Sequence, residues 1–288
     1  MQPGPTLCTR WFSRAILPVL AGMMVGCVGF GPRRKGEEVH RDLVFASTGV
    51  RDLRMDLYVP DTERPPPVVI WMYGGSWKFG WKDVHVVLRD LTRHGIAVAS
   101  IEYRFSREAP FPAQLEDARA AVRWLQRHGE VYGVDPSRLG VSGESAGAHL
   151  AALLGVIDGP PDIRAVCALS PPANLVTLYE KHAWTGNRTI PNLIRARLPD
   201  HNDLAAEASP TFLVRRGASP FLILHGRLDP LVPVQQSEEL DGALQRHGVE
   251  SKLNVLPDKA HWFSLNRNQL VEVAEFFHRH FDGEAEAR

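Results

Sequence analysis

Arg138-Leu139-Gly140-Val141-Ser142-Gly143-Glu144-Ser145-Ala146-Gly147-Ala148-His149-Leu150-Ala151-Ala152-Leu153-Leu154-Gly155-Val156 reads as a short apolar strand that turns at once into a helix of small, apolar residues. The junction spells Gly-x-Ser-x-Gly at Gly143, Ser145 and Gly147. A strand-to-helix turn this sharp holds the serine backbone under strain, so the residues two places to either side must be minimal. Gly143 and Gly147 meet that demand. The same geometry exposes the Ser145 hydroxyl at the carboxyl edge of a sheet. There it sits above a helix N-terminus whose unpaired N–H groups favour negative charge.

Working outward, β-rich runs alternate with helical patterns from about Leu43 onward, the mark of a mainly parallel sheet covered on both faces. Leu53–Val59 alternates with period two and predicts a half-exposed strand. Val68–Met72 is continuously apolar and predicts a buried one. Val84, Val87, Leu88 and Leu91 predict a helix that Gly95 stops. Ile96–Ile101 is the next strand, and Leu115, Ala118, Val122 and Leu125 mark a helix ending near Gly129. Asp135-Pro136 is a turn into the strand Arg138–Val141. Ala165–Leu169, Phe221–Leu224 and Lys252–Leu256 are further strands. Ser237–Gln245 and the stretch around Leu270, Val273, Ala274 and Phe277 are helical. Residues 171–216 break the alternation and read as a small lid inserted over the sheet. One folded domain is expected over 41–282, with a polar tail at 283–288.

A serine hydroxyl is a poor nucleophile until a base takes its proton. His225-Gly226-Arg227-Leu228-Asp229-Pro230 follows one strand and Asp258-Lys259-Ala260-His261-Trp262 follows the last, which puts Asp229 and His261 at the same sheet edge as Ser145. The order Ser, Asp, His suits a triad: His261 as general base and then acid, Asp229 orienting it. An oxyanion needs N–H donors. Ala146 offers one. The loop Tyr73-Gly74-Gly75-Ser76-Trp77 offers Gly75 and Ser76, with Gly74 in reserve. Trp77, Trp184 and Trp262 fit either the walls of a substrate pocket or the core.

Composition narrows the partners. Over 288 residues the chain balances 33 Lys and Arg against 33 Asp and Glu, and 44% of it is apolar. Such a chain folds around a core and lacks the concentrated positive field that a phosphate backbone demands, so nucleic acid is excluded. Three cysteines build no disulfide framework, and no metal-ligand spacing occurs. Cys167 is expected as a buried thiol, and no cofactor is implied. Arg10 and Arg14 precede a short apolar run broken by Pro18, Gly22 and Gly26. It is too short to span a membrane comfortably and fits an export signal over 1–26. Met24-Val25-Gly26-Cys27 resembles a bacterial lipobox, with Cys27 lipidated, a flexible tether over 27–40 and a place in the cell envelope. A plain secretory signal, leaving a secreted or periplasmic protein, is the alternative. Nothing in the sequence sets an oligomeric state.

Gly143–Gly147, the Gly74-Gly75-Ser76-Trp77 loop, Tyr103-Arg104, Phe111-Pro112-Ala113 with Asp117, Ala208-Ser209-Pro210 and His225–Asp229 together resemble the α/β-hydrolase superfamily. The likeness is to its branch of small carboxylesterases, over roughly residues 40–282. That resemblance implies an eight-stranded, mainly parallel sheet, a triad of Ser145, Asp229 and His261, and hydrolysis of small-acyl esters through an acyl-enzyme. Some proteins of this shape remove acetyl or feruloyl groups from plant polysaccharides. Tyr73 and Ser76 depart from the usual His and third Gly of the oxyanion loop, so the loop needs another support. The same loop resembles that of the kynurenine formamidases, which leaves arylformamidase open. A peptidase of the prolyl-oligopeptidase kind fits less well, because residue 148 is Ala where Gly is usual. A non-catalytic scaffold is the remaining alternative.

Overall fold

The computed structural model describes residues 36–82, 88–159, 162–182 and 188–282. The export signal, Cys8, Cys27, Val84, Val87, Trp184 and the 283–288 tail lie outside them. Eight strands form one sheet: β1 (Glu37–Ser47), β2 (Asp52–Pro60), β3 (Pro67–Met72), β4 (Ala97–Ile101), β5 (Asp135–Glu144), β6 (Val166–Leu169), β7 (Phe221–Gly226) and β8 (Ser251–Leu256). Their spatial order is β1-β2-β4-β3-β5-β6-β7-β8. β2 runs antiparallel to both its neighbours, and every other pairing is parallel.

The core follows the pleat. Val68, Ile70 and Met72 of β3 join one apolar cluster and Val69 and Trp71 the other. On β7, Phe221 and Ile223 face one cluster while Leu222 and Leu224 face its opposite. Helices α1 (Ala113–His128), α2 (Ala146–Ile157) and α7 (Gln235–Arg246) cover the first face, through residues such as Leu115, Leu150 and Leu240. Helix α8 (Arg267–Asp282) covers the second through Val273 and Phe277. Strands apolar on both faces stay in place only when both faces are covered.

Four short helices fill the stretch between β6 and β7: α3 (Leu175–His182), α4 (Thr189–Ile194), α5 (Asn202–Glu207) and α6 (Pro210–Leu213). They hold a small core of their own, with Leu175, Leu178, Ile190, Leu193 and Leu198, into which Trp77 inserts from the loop after β3.

Four expectations change. Leu53–Val59, expected half-exposed, is buried at every position but Arg54, because β2 is paired on both edges and covered on both faces. The tether over 27–40 is too long, because Glu37–His40 already pairs with Pro60–Leu57 as strand β1. Its Glu-Glu-Val-His-Arg-Asp run hides the strand, since edge strands tolerate charge; Glu37 is buried and binds Arg89 at 2.6 Å. The helix expected around Val84–Leu91 is, among the described residues, a 3-10 turn over Arg89–His94, which Gly95 closes at φ 73° as expected. The Asp135-Pro136 turn is a bulge within β5: the ladder on β3 steps from Asp135 to Leu139, and Asp135 Oδ1 accepts the Ser137 N–H at 3.0 Å.

Candidate active site

The strand order reverses around β3, because β4 lies on one side of it and β5 on the other. Loops leaving such a pair at the carboxyl edge diverge and leave a crevice. Ser145 follows β5 and the Tyr73–Trp77 loop follows β3, so both open into it.

Ser145 is the single residue between β5 and α2, at φ 51° and ψ −121°. A non-glycine residue holds that conformation only when its surroundings over-determine it. Here they do. A Cβ on Gly143 would collide with the Gly147 backbone, and one on Gly147 with the Met72 carbonyl. Gly74 packs under the elbow, and a Cβ there would come within 3.2 Å of Ser145 Cβ. The Ser145 N–H is tied to Leu169 O at 2.8 Å.

Ser145, His261 and Asp229 are brought together. His261 Nε2 lies 2.9 Å from Ser145 Oγ, and His261 Nδ1 lies 2.6 Å from Asp229 Oδ2. A carboxylate only accepts, so Nδ1 carries the proton and Nε2 is free to accept the serine hydroxyl. Asp229 Oδ1 accepts the Leu231 and Val232 N–H groups at 2.8 Å each. Burial raises the Asp229 carboxyl, but hydrogen bonds with His225 and His261, the His261 charge and the Val232 N–H outweigh it and hold it well below the ordinary range. The arrangement can move a proton from Ser145 to His261 and stabilise the imidazolium that results.

Gly75, Ser76 and Ala146 line the same cavity as Ser145 and His261. It measures about 130 Å³ and is walled by Trp77, Pro172, Leu178, Ile190 and Leu231. Gly75, Ser76 and Trp77 all have positive φ, at 121°, 56° and 58°. The turn they make is closed by the Lys78 N–H donating to Gly75 O at 2.9 Å. Trp77 is buried and Trp262 is 69% exposed at the rim, edge-on to His261. Cys167 is buried away from this site, and burial pushes its thiol up to about 12.

The supporting roles of three residues escaped the sequence reading. Tyr103 stacks on Tyr73 with ring centroids 4.6 Å apart, and its hydroxyl donates to Tyr73 O at 2.9 Å. His149, fully buried on α2, accepts the Trp77 indole N–H on Nδ1 at 3.2 Å and donates from Nε2 to Ala208 O at 2.6 Å. Those two bonds fix one neutral tautomer, because an indole only donates and a carbonyl only accepts. His225 Nε2 lies 3.3 Å from Asp229 Oδ2 and 2.8 Å from Val232 O, with Ser237 Oγ 2.6 Å from its Nδ1. The one signal for His149 was its spacing, four residues beyond Ser145 on the same helix face.

Comparison with known proteins agrees with this geometry. The chain is 30% identical over 224 residues to the esterase LipC of Mycobacterium tuberculosis, covering 70% of this chain and 54% of that protein. It is 30% identical over 252 residues to the esterase LipQ of the same organism, covering 82% and 60%. The chain thus spans little more than half the length of these curated relatives. Among solved structures, a truncated carbohydrate esterase from gut microbiota superposes with a TM-score of 0.76 at 23% identity, over 84% of this chain and 96% of that one. That likeness shows the α/β-hydrolase fold. The family model described as BD-FAE matches residues 55–244. The chain belongs to the BD-FAE family.

Proposed function

We propose that this protein hydrolyses carboxylic esters of small acyl groups through an acyl-enzyme on Ser145. The observation that carries the reading is the unbroken relay from Ser145 Oγ through His261 to Asp229, at 2.9 and 2.6 Å. His261 Nε2 takes the hydroxyl proton as Oγ attacks the ester carbonyl carbon. The N–H groups of Ala146, Gly75 and Ser76 receive the oxyanion; such donors are each worth roughly 3 kcal/mol. Collapse expels the alcohol, which takes its proton from His261. Water, deprotonated by His261, then releases the acid and regenerates Ser145. A cavity of about 130 Å³, walled mostly by apolar side chains, suits a short acyl chain. The names of the relatives support an ester over a formamide.

The test is hydrolysis of p-nitrophenyl acetate, butyrate and octanoate by the full chain beside Ser145→Ala. Turnover of the two short esters, lower on octanoate and reduced more than about 10⁴-fold in the variant, is expected. A folded protein inert on all three sinks the reading, and turnover of N-formylkynurenine instead would make it an arylformamidase.

The stretch 171–216 is read as the lid of a domain over 41–282, since its Leu178, Thr189 and Ile190 wall the cavity. Residues 1–26 are read as an export signal and Cys27 as a lipid anchor that holds the protein in the cell envelope. What supports this is the Arg10–Cys27 sequence. Radiolabelled palmitate fed to cells making the full chain should label it and spare Cys27→Ser; an unlabelled wild-type chain overturns the anchor.

A further inference from the structure

Beside the catalytic cavity lies a second, larger hollow of about 980 Å³. Helix α4 walls both: Thr189 and Ile190 line the cavity, while Pro191 and Asn192 line the hollow. Lys78, next to Trp77, lines the hollow, and its Nζ donates at 2.8 Å to Oγ1 of Thr189, which lines the cavity. Among the described residues the hollow is lined by Lys78, Arg107, Arg188, Arg195 and Arg197, and by no carboxylate.

That imbalance is local. The whole chain carries as many acids as bases. Several arginines elsewhere in the chain are paired: Arg51 with Glu102 and Glu108, Arg104 with Asp117, Arg119 with Asp158. None of the five cations in the hollow has an ion-pair partner among the described carboxylates. Burial lowers the Lys78 ammonium from its ordinary value, with no acid offsetting it. Arg195 ends α4 in the left-handed conformation, φ 49°, where a helix usually places Gly or Asn. Five like charges gathered in one concavity repel one another until an anion enters. Guanidinium forks match a planar carboxylate with two parallel hydrogen bonds.

We propose that this hollow is the subsite for the alcohol portion of the substrate, and that this portion is a soluble molecule or sugar unit bearing a carboxylate. The proposal rests on the esterase reading, because the acyl group must lie at Ser145 while the charged end reaches across α4. A concave hollow favours a discrete ligand over a flat anionic membrane.

The test uses the full chain and Arg188→Gln combined with Arg197→Gln. Matched mono-O-acetyl esters of glucuronate and glucose are compared by acetate release. Binding of free glucuronate and glucose to Ser145→Ala protein is followed by calorimetry. The glucuronate ester should show a kcat/KM about tenfold above the glucose ester, carried by KM, with the ratio falling towards one in the paired variant and in high salt. Free glucuronate should bind more tightly than glucose, and less tightly when the two arginines are replaced. Equal hydrolysis of both esters overturns the subsite and leaves the esterase standing. No hydrolysis of either ester or of p-nitrophenyl acetate sinks the esterase reading and the substrate assignment with it, whereas the calorimetry still decides whether the hollow binds a carboxylate. Arginine-dependent sedimentation with phosphatidylglycerol vesicles, without preference for the charged ester, overturns the proposal in favour of a membrane surface.

Discussion

His149 never touches the reacting atoms, yet it holds Trp77 of the oxyanion loop on one side and Ala208 of the lid stretch on the other. Burial lowers its pKa from 6.5 to about 4, against a partial offset from the Ala208 carbonyl. The folded value lies below the unfolded one. Between them the unfolded chain binds a proton that the folded chain refuses, so stability rises with pH across that window and is lost as pH falls through it. The ceiling of this term is roughly 3 kcal/mol. His149→Gln, whose amide can still accept and donate, should remove much of that slope. Urea unfolding at pH 4.5 and pH 7 checks it, and an equal loss in both proteins would refute the assignment. Asp229 acts in a lower window: its carboxyl is held below the ordinary value, so its contribution is present above about pH 4 and fades below that.

At the scale of elements, the elbow is held by glycines rather than by hydrogen bonds alone. Gly147→Ala would press a methyl group into the Met72 carbonyl. Relief requires α2 to move off β3, so the variant should lose about 1–3 kcal/mol of stability. It should lose about a hundredfold or more in kcat through misplacement of Ser145. Thermal melting beside the acetate assay separates the two effects; unchanged turnover would show that the elbow tolerates displacement. The oxyanion loop works similarly. The Tyr73–Trp77 loop is supported by the Tyr73–Tyr103 stack and the Trp77–His149 bond.

The cavity at Ser145 belongs to the whole molecule, because its walls come from five separate parts of the chain. The loop after β3 gives Gly75, Ser76, Trp77 and Phe79, and α2 gives Ala146. The lid stretch gives Leu178 and Ile190, and the loops after β7 and β8 give Leu231 and His261. Acyl-chain preference is therefore set by assembly. Ile190→Val removes one methylene from that wall and should raise the octanoate-to-butyrate ratio about tenfold. It should cost about 1 kcal/mol of stability. A ratio that does not move would show that the acyl chain leaves by another route.

Sequence by itself determined the strands that are buried on both faces, the elbow and the order Ser145, Asp229, His261. Each of these is written in local chemistry: continuous apolar runs, glycines where a Cβ cannot fit, and polar residues just past strand ends. β1 escaped because an edge strand can be charged, and the start of the sheet was read as tether. The supporting roles of Tyr103 and His149 escaped because their partners lie far along the chain, 30 residues away for Tyr73 and 72 for Trp77, while that of His225 depends on how the loop after β7 folds back over it. The basic hollow was invisible for the same reason. Lys78, Arg107 and the arginines of the 188–197 stretch look like ordinary surface charges in a neutral chain. Only the packing of α4 against the β3 loop puts them in one concavity, since charge acts through space and the chain order records only neighbours along the backbone.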